Sequence, residues 1–193
     1  REIDVAARIE YEMKIKGCRT LAFESIVASG VNAALPHATV SEKRISRGEV
    51  VIVDIGARYM EYCSDLTRTF IAGKPSSKLR DIYHAVLEAQ NAAINAVKPG
   101  VKAKEVDEIA RNVLREYGYG HLFIHSIGHG VGLEVHEYPG LNSENEKPLE
   151  KGMVVTIEPG VYVKGYGGVR IEDIVVVEET GPRVISRFEK SIL

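Results

Sequence analysis

Asp54 closes the apolar run "VVIVD", and Glu158 closes the similar run "VVTIE" later in the same chain. An ionised carboxylate beside a fully buried strand costs several kcal/mol unless it is paired or bound to a metal. One such residue can simply cap a strand end. Two of them, each ending a matching run, form a pattern that calls for a partner. Each is followed by another acid: Asp65 stands 11 residues after Asp54 in "CSDLTRTF", and Glu172 stands 14 after Glu158 in "GVRIED". If the two strands of each half form a hairpin, the four carboxylates can meet at the junction of the halves. Four anions so close cannot all stay ionised unaided; two divalent cations would cancel their charge. The segment "HSIGHGVGLEVH" (125–136) adds His125, His129 and His136, half of the chain's six histidines. One imidazole can complete a metal shell, and nothing inside the segment chooses among the three. Oxygen and imidazole donors without thiolate favour Mn²⁺, Co²⁺, Zn²⁺ or Fe²⁺. A two-metal carboxylate site commonly activates a bridging water, so metal-assisted hydrolysis is the chemistry indicated.

An internal repeat supplies the elements that would position these groups. "RGEVVIVDIG" (47–56) matches "KGMVVTIEPG" (151–160), and "REIDVAAR" (1–8) matches "KEVDEIAR" (104–111). "GVNAALPH" (30–37) resembles "GVGLEVH" (130–136) more loosely. Three matches in the same order, at nearly one offset, indicate two related halves. In the second half the repeated helix follows another, from about Ser77 to Val97, with apolar Leu79, Ile82, Tyr83, Val86, Ala93, Ile94 and Val97. The turn "KPG" (98–100) separates the two. The first half has no counterpart to that extra helix. Its own opening, "REIDVAARIEYEMKIKG", is already helical, with Ile3, Ala6, Ala7, Ile9, Met13 and Ile15 largely on one side. With no start methionine, the expectation is a fragment whose parent carries at least one more helix before Arg1. Residues 50–55 and 153–158 are continuous β-branched runs, as in strands buried on both faces, whereas 65–72 and 169–177 alternate with period two. The fold class expected is α+β, with helices outside and one curved antiparallel sheet inside.

Beyond spacing, "VDIGARYMEYCSDLTRTF", "HSIGHGVGLEVHE", "TIEPGVY" and "GGVRIED" resemble the metallopeptidases of the pita-bread fold, in their proline-specific branch. The likeness covers essentially the whole chain and is strongest to the C-terminal catalytic domain of archaeal prolidases, the Xaa-Pro dipeptidases. It implies a single catalytic domain over 1–193, lacking a first helix and an N-terminal domain. It implies two divalent ions, Mn²⁺ or Co²⁺ first and Zn²⁺ or Fe²⁺ next, on Asp54, Asp65, His129, Glu158 and Glu172. Asp65 and Glu172 would bridge both ions, Asp54 would serve one, and His129 and Glu158 the other. Glu158 would also act as general base for the bridging hydroxide that attacks the Xaa-Pro bond. His125 and His136 match histidines that bind substrate and stabilise the tetrahedral intermediate, and His37 matches a further active-site histidine. Arg170 and Tyr162 match residues near the ligands, with Arg170 bonding the acidic cluster or a substrate carboxylate. His84 and His121 match no functional position and are expected on a helix surface and a loop.

The chemistry is coherent: a bond before proline is a tertiary amide without N–H, so its hydrolysis calls for a polarised carbonyl, an activated water and a proton for the ring nitrogen. Aminopeptidase P, acting on longer Xaa-Pro peptides, is the nearest alternative. Methionine aminopeptidases share fold and ligands, but they typically carry glutamine where Arg170 stands. A metal-free binding or chaperone module, or a creatinase-like enzyme, is opposed by the presence of all five ligand types. The formal charge of −2 suggests no nucleic-acid partner, and no apolar run approaches membrane-spanning length. Cys18 and Cys63 make no disulfide framework and are expected as small packed hydrophobes, which fits a reducing cytoplasm. The expected partner is a Xaa-Pro dipeptide or short peptide, with a homodimer in the full-length protein. Lys102 stands where a helix would want a capping Ser or Thr, at a cost of about 1 kcal/mol.

Overall fold

The computed structural model describes residues 1–190. The first half runs α1 (Glu2–Ile15), β1 (Thr20–Leu21), β2 (Ile26–Ser29), β3 (Val50–Ile55), β4 (Ala57–Tyr59), β5 (Tyr62–Cys63) and β6 (Leu66–Ile71). The second runs α2 (Ser77–Ala96), α3 (Ala103–Glu116), β7 (Gly128–Gly130), β8 (Glu137–Leu141), β9 (Val154–Ile157), β10 (Gly160–Val163), β11 (Gly167–Arg170), β12 (Asp173–Glu178) and β13 (Gly181–Val184). Among the described residues, no helix is long and apolar enough to cross a membrane.

α2 forms where its apolar spacing predicts. Ser76 caps it by accepting from the Leu79 N–H, and Leu79, Ile82, Tyr83, Val86, Ala93 and Ile94 are all buried. It stops before Pro99, whose ring disfavours helix at the preceding residue. α3 starts despite Lys102. The Glu105 side chain accepts the Lys102 backbone N–H at 3.2 Å, and both Lys102 and Lys104 pair with Glu146. The misplaced lysine is therefore compensated by ion pairs that the sequence reading did not foresee. α1 departs further from expectation. Ile3 and Ile15 are 40% and 61% exposed, and the helix instead buries Ala6 and the carboxylate of Glu2.

The curved sheet is divided between two antiparallel half-sheets, β2-β3-β6 and β13-β12-β9-β7-β8, with smaller ribbons β1-β4-β5 and β10-β11. The acid-bearing strands are neighbours, β3 on β6 and β9 on β12, but each pair is connected through an inserted ribbon rather than a direct hairpin. The alternating stretch 169–177 is not one strand: β11 ends at Arg170 and β12 begins at Asp173. At the break, the Glu172 N–H crosses to the other half and donates to the Thr67 carbonyl at 3.1 Å. The Arg170 N–H does the same to Thr69 Oγ1 at 3.0 Å. One apolar core spans the junction, joining Val50 and Ile52 to Val161, Val169 and Ile171.

The halves differ in their cover. α2 and α3 pack with the second half-sheet in a core where Val155 and Ile157 are fully buried. The repeat-equivalent face of the first half, Val51, Val53 and Ile55 with Leu66, Phe70 and Phe188, lines an apolar groove of about 490 Å³ beside α1. Cys18 is buried as expected. Cys63 is only half-buried, with its sulfur 3.6 Å from the Leu133 carbonyl, and neither cysteine is in a disulfide.

Candidate metal centre

The four acids arrive from both halves. Asp54 lies near the end of β3, opposite Thr67, while Asp65 immediately precedes β6. Glu158 follows β9, and Glu172 sits in the break between β11 and β12. Ligand atoms of Asp65, His129 and Glu172 all lie within 4.8 Å of one another. Glu158 joins them, its Oε1 3.3 Å from His129 Nε2, and Asp65 Oδ2 is 3.5 Å from the same nitrogen. His129 Nδ1 lies 3.0 Å from the Gly130 carbonyl and must donate to it. That fixes the ring so that Nε2 points at two carboxylate oxygens, where a proton or a cation must lie between.

The electrostatics are those of a charge cluster short of cations. Burial pushes the Asp65 carboxyl up to about 8, and the negative charges of Asp54 and Glu158 add to the effect. Burial likewise raises Glu172 well above the usual carboxylate range, with Asp65, Glu158 and Asp54 reinforcing it. Asp54 is raised by burial, although Arg170 opposes the shift. Glu158 moves the other way. Burial would raise it, but a hydrogen bond from His129 and the charges of His125, His129 and Arg170 hold it below its ordinary value. His129 is correspondingly raised, burial being outweighed by Glu158. Asp54 Oδ1 is buried and has no hydrogen-bond partner. An orphaned carboxylate oxygen, two acids driven toward protonation and an aimed imidazole nitrogen fit a hard or borderline divalent cation.

Arg170 and Tyr162 are bound into the protein behind this cluster. Arg170 donates to Asp54 Oδ2 at 2.7 Å, Tyr162 Oη at 2.8 Å, the Pro36 carbonyl at 3.0 Å and Thr67 Oγ1 at 3.1 Å. Four of its five N–H groups are thereby engaged within the protein, one of them on the acidic cluster through Asp54. Tyr162 is 5% exposed, and burial pushes its phenol up to about 12. It accepts from Arg170 and lies 2.8 Å from His125 Nε2. His125 Nδ1 lies 2.8 Å from the Ser126 carbonyl and donates there, so Nε2 accepts the tyrosine proton. Burial lowers the His125 pKa, in keeping with that neutral form. Tyr162 thus holds the His125 ring through its hydroxyl.

His37, His125, His129 and His136 share one cavity of about 790 Å³ with Asp54, Asp65, Glu158 and Glu172. His136 packs edge-on to His129 at 4.2 Å between ring centroids. The histidines expected outside the site are outside it: His84 is exposed on α2, and His121 is exposed in a short 3₁₀ turn. Two threonines escaped the sequence reading. Thr67 Oγ1 donates to Glu172 Oε2 at 2.8 Å, and Thr156 Oγ1 accepts the His129 N–H at 3.0 Å while reaching Glu158 Oε1 at 3.3 Å. Thr156 is the one polar residue within the apolar run "VVTI", whereas Thr67 sits among other polar residues in "DLTRTF" and nothing singles it out.

The sequence model of metallopeptidase family M24 matches residues 1–179. The chain is 53% identical over 193 residues to the Xaa-Pro dipeptidase of Pyrococcus furiosus, covering 100% of this chain and 56% of that protein. The solved prolidase from Pyrococcus furiosus has a TM-score of 0.97, covering 98% of this chain and 56% of the other. The X-Pro aminopeptidase from Thermotoga maritima has the same TM-score at 45% identity, covering 99% and 54%. The chain therefore spans about half the length of the relatives it matches.

Proposed function

The chain belongs to metallopeptidase family M24, and from that premise we propose that it is the catalytic domain of a dinuclear-metal Xaa-Pro dipeptidase. The observation that carries the reading is the meeting of Asp65, His129 and Glu172 within 4.8 Å, beside Glu158 and the orphaned oxygen of Asp54. Asp54, Asp65, His129, Glu158 and Glu172 would hold the two ions. Two such ions, when bound, polarise the scissile carbonyl and acidify the attacking water.

The chain's own groups do the rest. Glu158 is held ionised by its neighbours, so it can take the proton of the attacking water and return it to the departing proline nitrogen. His125 and His136 line the cavity on either side of His129 in sequence, and His37 enters from the first half. In this reading they hold the substrate and stabilise charge on its carbonyl oxygen. Neutral His125 is kept in one tautomer by Ser126 and Tyr162. Arg170 holds Asp54 in place.

Likeness to the Thermotoga X-Pro aminopeptidase supports a second reading, removal of the first residue from longer Xaa-Pro peptides. The test is a comparison, on full-length protein supplied with Mn²⁺ or Co²⁺, of a Xaa-Pro dipeptide, a Xaa-Pro-Xaa tripeptide and a Met-Ala peptide. The dipeptide should have the highest kcat/KM. A preference for the tripeptide would move the assignment to aminopeptidase P, and turnover of Met-Ala alone would overturn the proline-specific reading.

A further inference from the structure

A buried ion pair on α3 has no part in the mechanism above. Asp107 is fully buried and receives a two-pronged contact from Arg111 one turn later, Nε to Oδ2 at 2.6 Å and Nη2 to Oδ1 at 3.1 Å. Two further donors of Arg111 go to the segment that carries His125. Nη1 donates to the Phe123 carbonyl at 3.0 Å, and Nη2 donates to the His125 carbonyl at 2.6 Å. Asp107 Oδ1 accepts the Ile127 N–H at 3.0 Å. The Ile127 carbonyl in turn accepts the Glu158 N–H at 2.8 Å. The guanidinium also sits 4.3 Å over the Phe123 ring, which meets His125 edge-on at 5.0 Å. Three main-chain groups within 123–127 thus end on one pair.

The internal repeat says that this arrangement is not required to make the helix. The equivalents in α1 are Asp4 and Arg8, and there both side chains face solvent. Asp4 pairs with Arg1, and Arg8, 74% exposed, pairs with Glu12 at 2.8 Å. A buried ion pair is moreover a poor general stabiliser, because desolvation offsets its Coulomb energy. What distinguishes the second half is the histidine-bearing segment lying against it. We propose that Asp107 and Arg111 are positioning residues, setting His125 against Tyr162 in the cavity. This rests on the reading of His125 as substrate-facing.

The experiment is a double-mutant cycle on the full-length protein with Xaa-Pro dipeptide, using Arg111→Met, His125→Ala and the double variant. Metal content and thermal unfolding are measured alongside. Small displacements of catalytic groups can cost on the order of 100-fold in rate. Arg111→Met is therefore expected to lower kcat/KM by about 10- to 100-fold in the wild-type background, with metal content retained. In the His125→Ala background the same substitution is expected to cost less than about threefold, because residues acting through one another are non-additive. In metal-free protein, the ¹⁵N resonances of the His125 ring should move in Arg111→Met while those of His84 stay. Should Arg111→Met fail to fold, Arg111→Lys, which keeps the charge and loses the fork, is run through the same cycle. Equal losses in both backgrounds, or an unmoved His125 ring signal, would overturn the proposal. If His125→Ala alone keeps wild-type turnover, the reading of His125 has failed and the proposal goes with it.

Discussion

Metal binding should release protons, because the ligands it needs ionised are driven toward protonation without it. Asp65 titrates at about 8 in the metal-free protein, so at pH 7 its carboxyl is about 0.9 protonated. Glu172 is raised well above the usual carboxylate range by burial and by Asp65, and His129 is raised as well, so both can add to the release. Ligation requires all three to be deprotonated. Saturating the metal-free protein with Mn²⁺ at pH 7 is thus expected to release about one proton or more. Titration calorimetry in buffers of different ionisation enthalpy measures this directly. The companion effect is on stability. Between the ordinary 3.8 and about 8, Asp65 binds a proton in the folded state that the unfolded chain has lost, so metal-free stability falls as pH rises through that window. At about 1.4 kcal/mol per pH unit, the loss across the window is on the order of several kcal/mol, and bound metal should remove it. Release of less than about half a proton would refute the reasoning, because the acids would then already be ionised without metal.

Further expectations concern the scaffold and the histidines. A Cβ on Gly128 would stand 1.9 Å from the Thr156 carbonyl oxygen, so Gly128→Ala must part β7 from β9 next to His129. Destabilisation of about 2–3 kcal/mol or more is expected, and an unchanged denaturant midpoint would show that the strands can yield. His136→Ala should lower turnover strongly while leaving metal content near normal, by elemental analysis of the purified protein; loss of both metals would make His136 a ligand. Asp173→Asn removes the buried partner of Arg68 at 2.7 Å and of Lys190, and it weakens the acceptor of Gln90. Stranding that arginine is expected to cost about 3–5 kcal/mol, read from chemical unfolding; a melt like that of the parent would mean that the backbone carbonyls around Arg68 suffice.

The acids of the site are legible in the sequence because their placement is expensive. A carboxylate closing a β-branched run is an energetic anomaly, and Asp54 and Glu158 show the anomaly twice in repeat-equivalent places. No comparable signal marks Thr67 or Thr156. A threonine is an ordinary strand residue, and only the geometry reveals that its hydroxyl meets Glu172 in one half and Glu158 in the other. Nor does spacing tell whether Arg170 reaches substrate. That depends on how many of its donors the protein itself takes, and Asp54, Tyr162, Pro36 and Thr67 take four.

The repeat is a reliable guide to where elements lie and a poor one to what their side chains meet. Asp4 and Asp107 occupy the same turn of equivalent helices, yet the first is at the surface and the second is wholly enclosed. In α1 the enclosed acid is instead Glu2, which accepts from the Ser29 N–H and hydroxyl, from Asn32 and from Ser41. Each half therefore ties the segment leading to its cavity histidines, His37 in one case and His125 in the other, to a buried carboxylate near its helix start. The two halves reach that result from different positions in the repeat. Both halves share the helix register, while the face turned inward depends on what each half-sheet leaves uncovered. Among the described residues α1 packs on β2 with no helix beside it, whereas α3 packs beside α2, so equivalent residues meet unlike surroundings and only the contacts can assign them work.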